Sequence, residues 1–183
     1  MSGPLVDVDR ILSIKTHELS PLEKIVGLKI DAVYLKSDIN YDSNEDMIVG
    51  PHTNANVVLL RGIFSPYKIP IWYKFQRESE SSQITQGELY SIVAKLKEAG
   101  YYVVISLTSD MGGGNQGFAK KLGVSHSKPY FEGLNAMAGE QIWYVWDNCH
   151  LLKRLRDAFV DHGFFLAGGT FVDKSMIERL LKV

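Results

Sequence analysis

The chain has 183 residues and a mass of 20.6 kDa, which suits one domain able to bury roughly two-thirds of the surface of its unfolded chain. A composition of 45% hydrophobic and 22% charged residues excludes a disordered or fibrous protein. The net charge of −1 argues against a broad basic surface for nucleic acid, and the single cysteine, Cys149, excludes an internal disulfide and a thiolate-rich zinc site.

The N-terminal sequence contains no basic segment followed by an apolar signal core. No apolar run approaches the about 20 residues that a membrane-spanning helix needs. We therefore expect no membrane partner and a soluble, unsecreted protein in a reducing compartment. We expect residues 1–20 to form a lead-in, with the first four outside the fold, and residues 21–183 to form the domain.

Strands and helices alternate along the chain. Apolar, β-branched runs predict strands over 25–35, 56–64, 69–75, 101–107 and 142–146. Polar stretches over 37–46 and 78–83 predict an excursion between strands and a surface loop. Helices are predicted after Thr85, over 117–122, over 150–162 and after Asp173.

Two of these helices have clear amphipathic patterns. Thr85 and Glu88 have the spacing of a capping box, and the apolar residues that follow recur on one helical face before Gly100. The helix over 150–162 is predicted to turn its apolar side chains inward. These are Leu151, Leu152, Leu155 and Phe159.

The order of elements predicts an α/β fold. Short connections make the first three strands antiparallel, and the later strands alternate with helices. We therefore predict a mixed five-stranded sheet with flanking helices, which is the order of an RNase H-like fold.

Two acidic residues stand out against this framework. Asp31 lies within an apolar strand, where an ionised carboxylate needs a cation or several donors. Asp110 follows the strand over 101–107, at the edge where open α/β sheets place ligands. Together they could bind a hard divalent cation. The alternative is that Asp31 is a solvated strand residue and Asp110 only caps the next loop or helix.

The glycines after Asp110 permit another interpretation. Gly112, Gly114 and Gly117 satisfy the spacing of a dinucleotide-binding loop after a strand. However, Asp110 and Met111 stand between the strand and the first glycine. A dinucleotide-binding site also needs an acid at the end of the next strand, and Glu132 lies instead in a turn-like stretch. We therefore favour glycines that let the backbone turn beside Asp110.

Several segments resemble P-element-type and THAP-domain DNA transposases. The run from Ser109 to Asn115 is similar to the family's Ser-Asp-x-Gly-x-Gly-Asn loop, and Asp147 to Lys153 is similar to its Asp-x-x-His-Leu-Leu-Lys segment. The segments around Asp31, and those over 62–64 and 69–75, resemble the family's first strands. Together the resemblance covers about residues 20 to 180.

The resemblance implies that Asp31 and Asp110 are the first two catalytic acids and bind Mg²⁺ or Mn²⁺. In the family the third acid is a glutamate beyond a large GTP-binding insertion, and this chain stops near the start of that insertion. Glu178, on the predicted last helix, is a weak candidate for the third acid. The alternative is that Glu178 lies on a solvated face of that helix. Ala32 and Val33 depart from the family's residues after the first acid.

We therefore predict a transposase-derived domain that is catalytically incomplete and acts as a protein-interaction module of a nuclear protein. The alternative is a fragment of an active transposase, which would cleave and transfer DNA strands once completed by further segments. DNA contact by Lys153, Arg154 and Arg156 is the weaker hypothesis, because such residues usually form a solvated helix face. We predict that Asp147 holds His150 and that the tryptophans lie in the core. The sequence does not indicate the oligomeric state.

Overall fold

The computed structural model describes residues 2–4, 7–36, 39–42, 47–76, 84–101, 103–134 and 139–181. It divides into two compact units, Met1–Val145 and Trp146–Val183. The predicted loop over 78–83 lies outside the described residues, as does most of the excursion over 37–46. Within the described ranges, no helix has both the length and the apolar character needed to span a bilayer.

The first unit is built on a mixed sheet. Numbered in chain order, its strands are β1 (Ser2–Pro4), β2 (Ile25–Tyr34), β5 (Asn54–Gly62), β6 (Lys68–Gln76), β7 (Val103–Ser109), β8 (Tyr130–Glu132) and β9 (Gln141–Trp146). The strand order is β1-β6-β5-β2-β7-β9-β8. A separate hairpin joins β3 (Asn40–Asp42) to β4 (Met47–Val49).

This sheet confirms the predicted RNase H-like arrangement. The long strands β6, β5 and β2 pair antiparallel, and β2 pairs parallel with β7. The five predicted strands correspond to β2, β5, β6, β7 and β9. Hydrogen bonds between backbones therefore hold the first and fourth of these strands side by side, although some 70 residues of chain separate them.

Two short edge strands differ from the prediction. Ser2–Pro4, expected outside the fold, pairs with the outer side of β6 as β1. The stretch around Glu132, expected to be a turn, pairs with β9 as β8. Strands of three residues are too short for an alternating pattern to be recognised, and an open strand edge favours pairing of any extended neighbour.

Three helices complete the first unit: α1 (Val8–Glu18), α2 (Gln86–Glu98) and α3 (Gly113–Lys121). Side chains of α1, β6 and α2 line one small cavity of about 110 Å³, so these elements pack together. One face of the central strands is almost fully buried. Its core residues include Val26, Leu28, Ile30, Val58, Leu60 and Leu107, and the helices contribute Leu12, Leu89, Val93, Leu96 and Phe118.

The second unit contains α4 (Asn148–His162), β10 (Phe164–Phe165), β11 (Phe171–Val172) and α5 (Lys174–Leu180). Asp173 caps α5 as predicted, because its Oδ1 accepts from the Ser175 N–H at 2.9 Å. The inward orientation predicted for the leucines of α4 is wrong. No residue of α4 is buried, and Leu152 and Leu155 are exposed. An amphipathic pattern shows which face of a helix can be buried, but it does not supply the surface that covers it.

The predicted capping box of α2 is confirmed. Thr85 Oγ1 accepts from the Glu88 N–H at 3.2 Å, and Glu88 Oε2 accepts from the Thr85 N–H at 2.7 Å. We expect Thr85→Ala to lower the free energy of unfolding by about 1 kcal/mol, measured by urea denaturation. Thr85→Ser retains the hydroxyl and is the matched control; equal losses in both variants would contradict the capping role.

Candidate metal centre

Asp31 lies in the second half of β2, on the less buried face of the sheet. The residues that alternate with it, Val26, Leu28 and Ile30, are buried on the opposite face. The Asp31 side chain is 40% exposed and lies 3.6 Å from the Lys29 ammonium. Its Oδ1 also accepts from the Ala32 N–H at 3.0 Å. The pleat therefore turns this acid toward solvent, as the alternative of a solvated strand residue predicts.

Asp110 is the first residue after β7 and turns toward the start of α3. Its Oδ1 accepts two hydrogen bonds, from the Gly112 N–H at 2.7 Å and from Asn115 Nδ2 at 2.6 Å. Within the described ranges the structure records no partner for Oδ2. One oxygen of this carboxylate is thus anchored to the helix start, and the other is available to a ligand.

The parallel pairing of β2 and β7 places the two acids level. Lys29 pairs with Thr108, and Asp31 and Asp110 each lie two residues further along their strands. This register follows a shift in which Val26 pairs with Val104 but Gly27 pairs with Ser106. Neighbouring strands are about 4.8 Å apart, and residues two apart share a face. Continued for two residues beyond its last pair, Lys29–Thr108, this register sets Asp31, which lies three residues before the end of β2, beside Asp110, which follows β7.

A buried polar network supports the backbone at Asp110. Ser109 Oγ, which is fully buried, donates to the Tyr144 hydroxyl of β9 at 2.8 Å and lies 3.1 Å from the Asp110 carbonyl oxygen. The Tyr144 hydroxyl also donates to the Asn115 carbonyl oxygen at 3.3 Å. Burial raises the pKa of Tyr144, the Ser109 hydrogen bond opposes this and the Asp110 charge adds to it, so the phenol stays protonated.

Gly112 is required here for space. A Cβ at this position would lie 2.9 Å from Asp110 Oδ1. The same contact disfavours the dinucleotide-binding interpretation. The Gly112 N–H is committed to Asp110, and a carboxylate already occupies the start of α3, where a pyrophosphate would have to bind.

Comparison with known proteins identifies the family. Residues 3–123 match the model of the TNP-like, RNase H N-terminal domain. The chain belongs to this family. It is 29% identical over 158 residues to the "Transposable element P transposase" of Drosophila melanogaster, which covers 86% of this chain and 20% of that protein. It is 27% identical to the "DNA transposase THAP9" of Homo sapiens over 158 residues, which cover 75% of this chain and 17% of that protein.

A solved structure agrees with this assignment. The "Drosophila P element transposase strand transfer complex" matches 98% of this chain with a TM-score of 0.82 and 28% identity, over 38% of that chain. The TNP-like RNase H domain described here therefore has the fold of the corresponding part of P element transposase. It spans about a fifth of the length of the curated relatives.

The remaining predicted residues have different outcomes. His150 Nδ1 lies 3.3 Å from Asp147 Oδ2, and Asp147 also accepts from the Cys149 N–H at the start of α4, which confirms the predicted pairing. Glu178 is exposed on α5, in the second unit. Trp72 lies in the core, as predicted. The prediction that Trp143 is a core residue is wrong, because its side chain is 48% exposed.

The chemistry of the two acids fits a hard divalent cation. Mg²⁺ and Mn²⁺ prefer oxygen ligands, and the two carboxylates at the ends of β2 and β7 supply them. Within the part of the chain that the structure describes, no group of three or more histidine, cysteine, aspartate or glutamate side chains is placed to hold a metal. Asp31 and Asp110 are thus two carboxylates on adjacent strands, with no third acid grouped with them in the described ranges.

Substitution of the loop glycines tests the anchoring of Asp110. Gly112→Ala should force the carboxylate of Asp110 from its two donors and lower the free energy of unfolding by about 1 kcal/mol. Gly113→Ala is the matched control, because a Cβ there meets no atom within 4 Å. It should be neutral or stabilise by up to about 1 kcal/mol. Urea denaturation measures both, and equal effects would contradict the steric argument.

Proposed function

We propose that this TNP-like RNase H domain contributes Asp31 and Asp110 as metal-binding carboxylates to a site for DNA strand cleavage and transfer. The observation that carries the proposal is the parallel register of β2 and β7, which pairs Lys29 with Thr108, each two residues before one of these acids. Relatives named as transposases support the substrate class. With two carboxylates, the domain by itself is catalytically incomplete.

Each acid has a distinct role in this proposal. A bound Mg²⁺ or Mn²⁺ ion would stabilise the charge that develops on the attacking and leaving oxygens of a phosphodiester. Asp110 would bind it through Oδ2, since Oδ1 is anchored by Gly112 and Asn115. Asp31 would bind from β2, where Lys29 lies near enough to offset its charge before a cation arrives.

A further ligand is needed to complete such a site. Glu178 is exposed in the second unit and remains the weaker candidate within this chain. The alternative is that the domain is one part of an active transposase, and that other segments supply the missing acid. Relatives named as transposases support that alternative.

We also propose that the domain binds a protein partner in a nuclear protein. The strand β9 supports this role, because Ile142 and Tyr144 are buried while the alternating Trp143 and Val145 are exposed. Exposed aromatic and aliphatic residues on one sheet face are typical of a surface that a partner covers. The net charge of −1 makes strong unaided DNA binding by this domain the weaker expectation.

Metal titration tests the two-carboxylate site. We expect the full chain to bind Mn²⁺, followed by electron paramagnetic resonance, and Asp31→Asn and Asp110→Asn each to weaken that binding at least about tenfold. Asp9→Asn is the matched control, since Asp9 is exposed on α1 and pairs with Lys95 at 3.4 Å. Unchanged Mn²⁺ binding in both site variants would refute the proposed centre.

A DNA nicking assay tests catalytic incompleteness. Because two carboxylates leave the cation only partly coordinated, we expect no strand cleavage by the full chain with Mg²⁺ or Mn²⁺. Cleavage that Asp110→Asn abolishes would show instead that the chain completes an active site by itself.

A further inference from the structure

Asn115 is the one polar side chain of α3 that is almost fully buried. It is 6% exposed and lies in the first turn of the helix. Its Nδ2 donates to Asp110 Oδ1 at 2.6 Å, while its own Oδ1 is buried and has no hydrogen-bond partner. Burying an amide oxygen without a donor costs free energy, so the orientation of this side chain needs a compensating reason.

The orientation of the amide follows from its neighbour. Asp110 Oδ1 already accepts the Gly112 N–H, so it is an acceptor and must face the nitrogen of Asn115. Exchanging the amide nitrogen and oxygen would bring two acceptor oxygens together and lose the bond. The side-chain nitrogen of Asn115 therefore donates to Asp110, and its side-chain oxygen, Oδ1, has no donor.

We propose that Asn115 is a positioning residue, which fixes the Asp110 carboxylate so that Oδ2 is presented to a divalent cation. The inference rests on the proposed function, because it assumes that Asp110 binds the cation. Two donors converge on one oxygen and restrict rotation of the carboxylate, which lowers the ordering cost of metal binding. Asp31, by comparison, accepts from one backbone donor, the Ala32 N–H, lies beside the Lys29 ammonium and is 40% exposed.

The substitution Asn115→Leu separates positioning from structure. Leucine has the same branched arrangement of side-chain heavy atoms but removes both the donor and the unsatisfied carbonyl oxygen. We expect the urea midpoint to stay the same or rise, and the Mn²⁺ affinity of the full chain to fall about tenfold. Asn115→Ser, which has a smaller side chain that is too short to reach Asp110 in the same way, should show the same loss of affinity. It also provides a second variant if leucine impairs folding.

Two controls make the outcomes distinct. Thr85→Ala should lower the urea midpoint and leave Mn²⁺ affinity unchanged, which shows that a loss of stability does not by itself weaken metal binding. Unchanged Mn²⁺ affinity in folded Asn115 variants, with loss in Asp110→Asn, would overturn the positioning role and leave the proposed function intact. Unchanged affinity in Asp110→Asn would overturn both.

Discussion

The parallel pairing of β2 with β7 is the constraint on which the candidate site depends. Antiparallel neighbours would place the carboxyl end of one strand beside the amino end of the other, whereas these two strands end at the same edge. Asp31 and Asp110 come from distant parts of the sequence, yet the backbone hydrogen bonds of one strand pair bring them level. The chemistry proposed for the domain therefore depends on the topology of the sheet as well as on its side chains.

The two faces of the sheet have different roles. The helices of the first unit cover the face that contains Leu28 and Val58, and this face supplies the core. The opposite face contains Asp31 on β2 and the exposed Trp143 on β9. The core thus lies on one side, whereas Asp31 and Trp143 on the other side are 40% and 48% exposed. This separation allows a polar site to exist without burying unpaired charge in the core.

Much of the framework could be predicted from the sequence, because its signals are local. The capping box at Thr85 and the apolar run around Leu28 define a helix and a strand with few residues of context. The placement of Asp31 and Asp110 on neighbouring strands could also be predicted. The sequence left open whether Asp31 is buried or solvated, since one position of register decides which face a side chain occupies. Nor could the contact of Tyr144 with Ser109, which are 35 residues apart in the chain.

The shift in the β2–β7 pairing has a consequence for how this domain can vary. Because Val26 pairs with Val104 and Gly27 with Ser106, Ile105 is an extra residue in β7 that β2 does not match. Such a bulge offsets everything downstream by one position. Ile105 takes up this offset, so an insertion or deletion between Ser106 and Asp110, beyond the bulge, would move Asp110 out of step with Asp31 and turn it to the other side of the sheet. The length of the segment from Ser106 to Asp110 is thus constrained as tightly as the identity of its acid, and single-residue insertions or deletions there should be tolerated far less than substitutions.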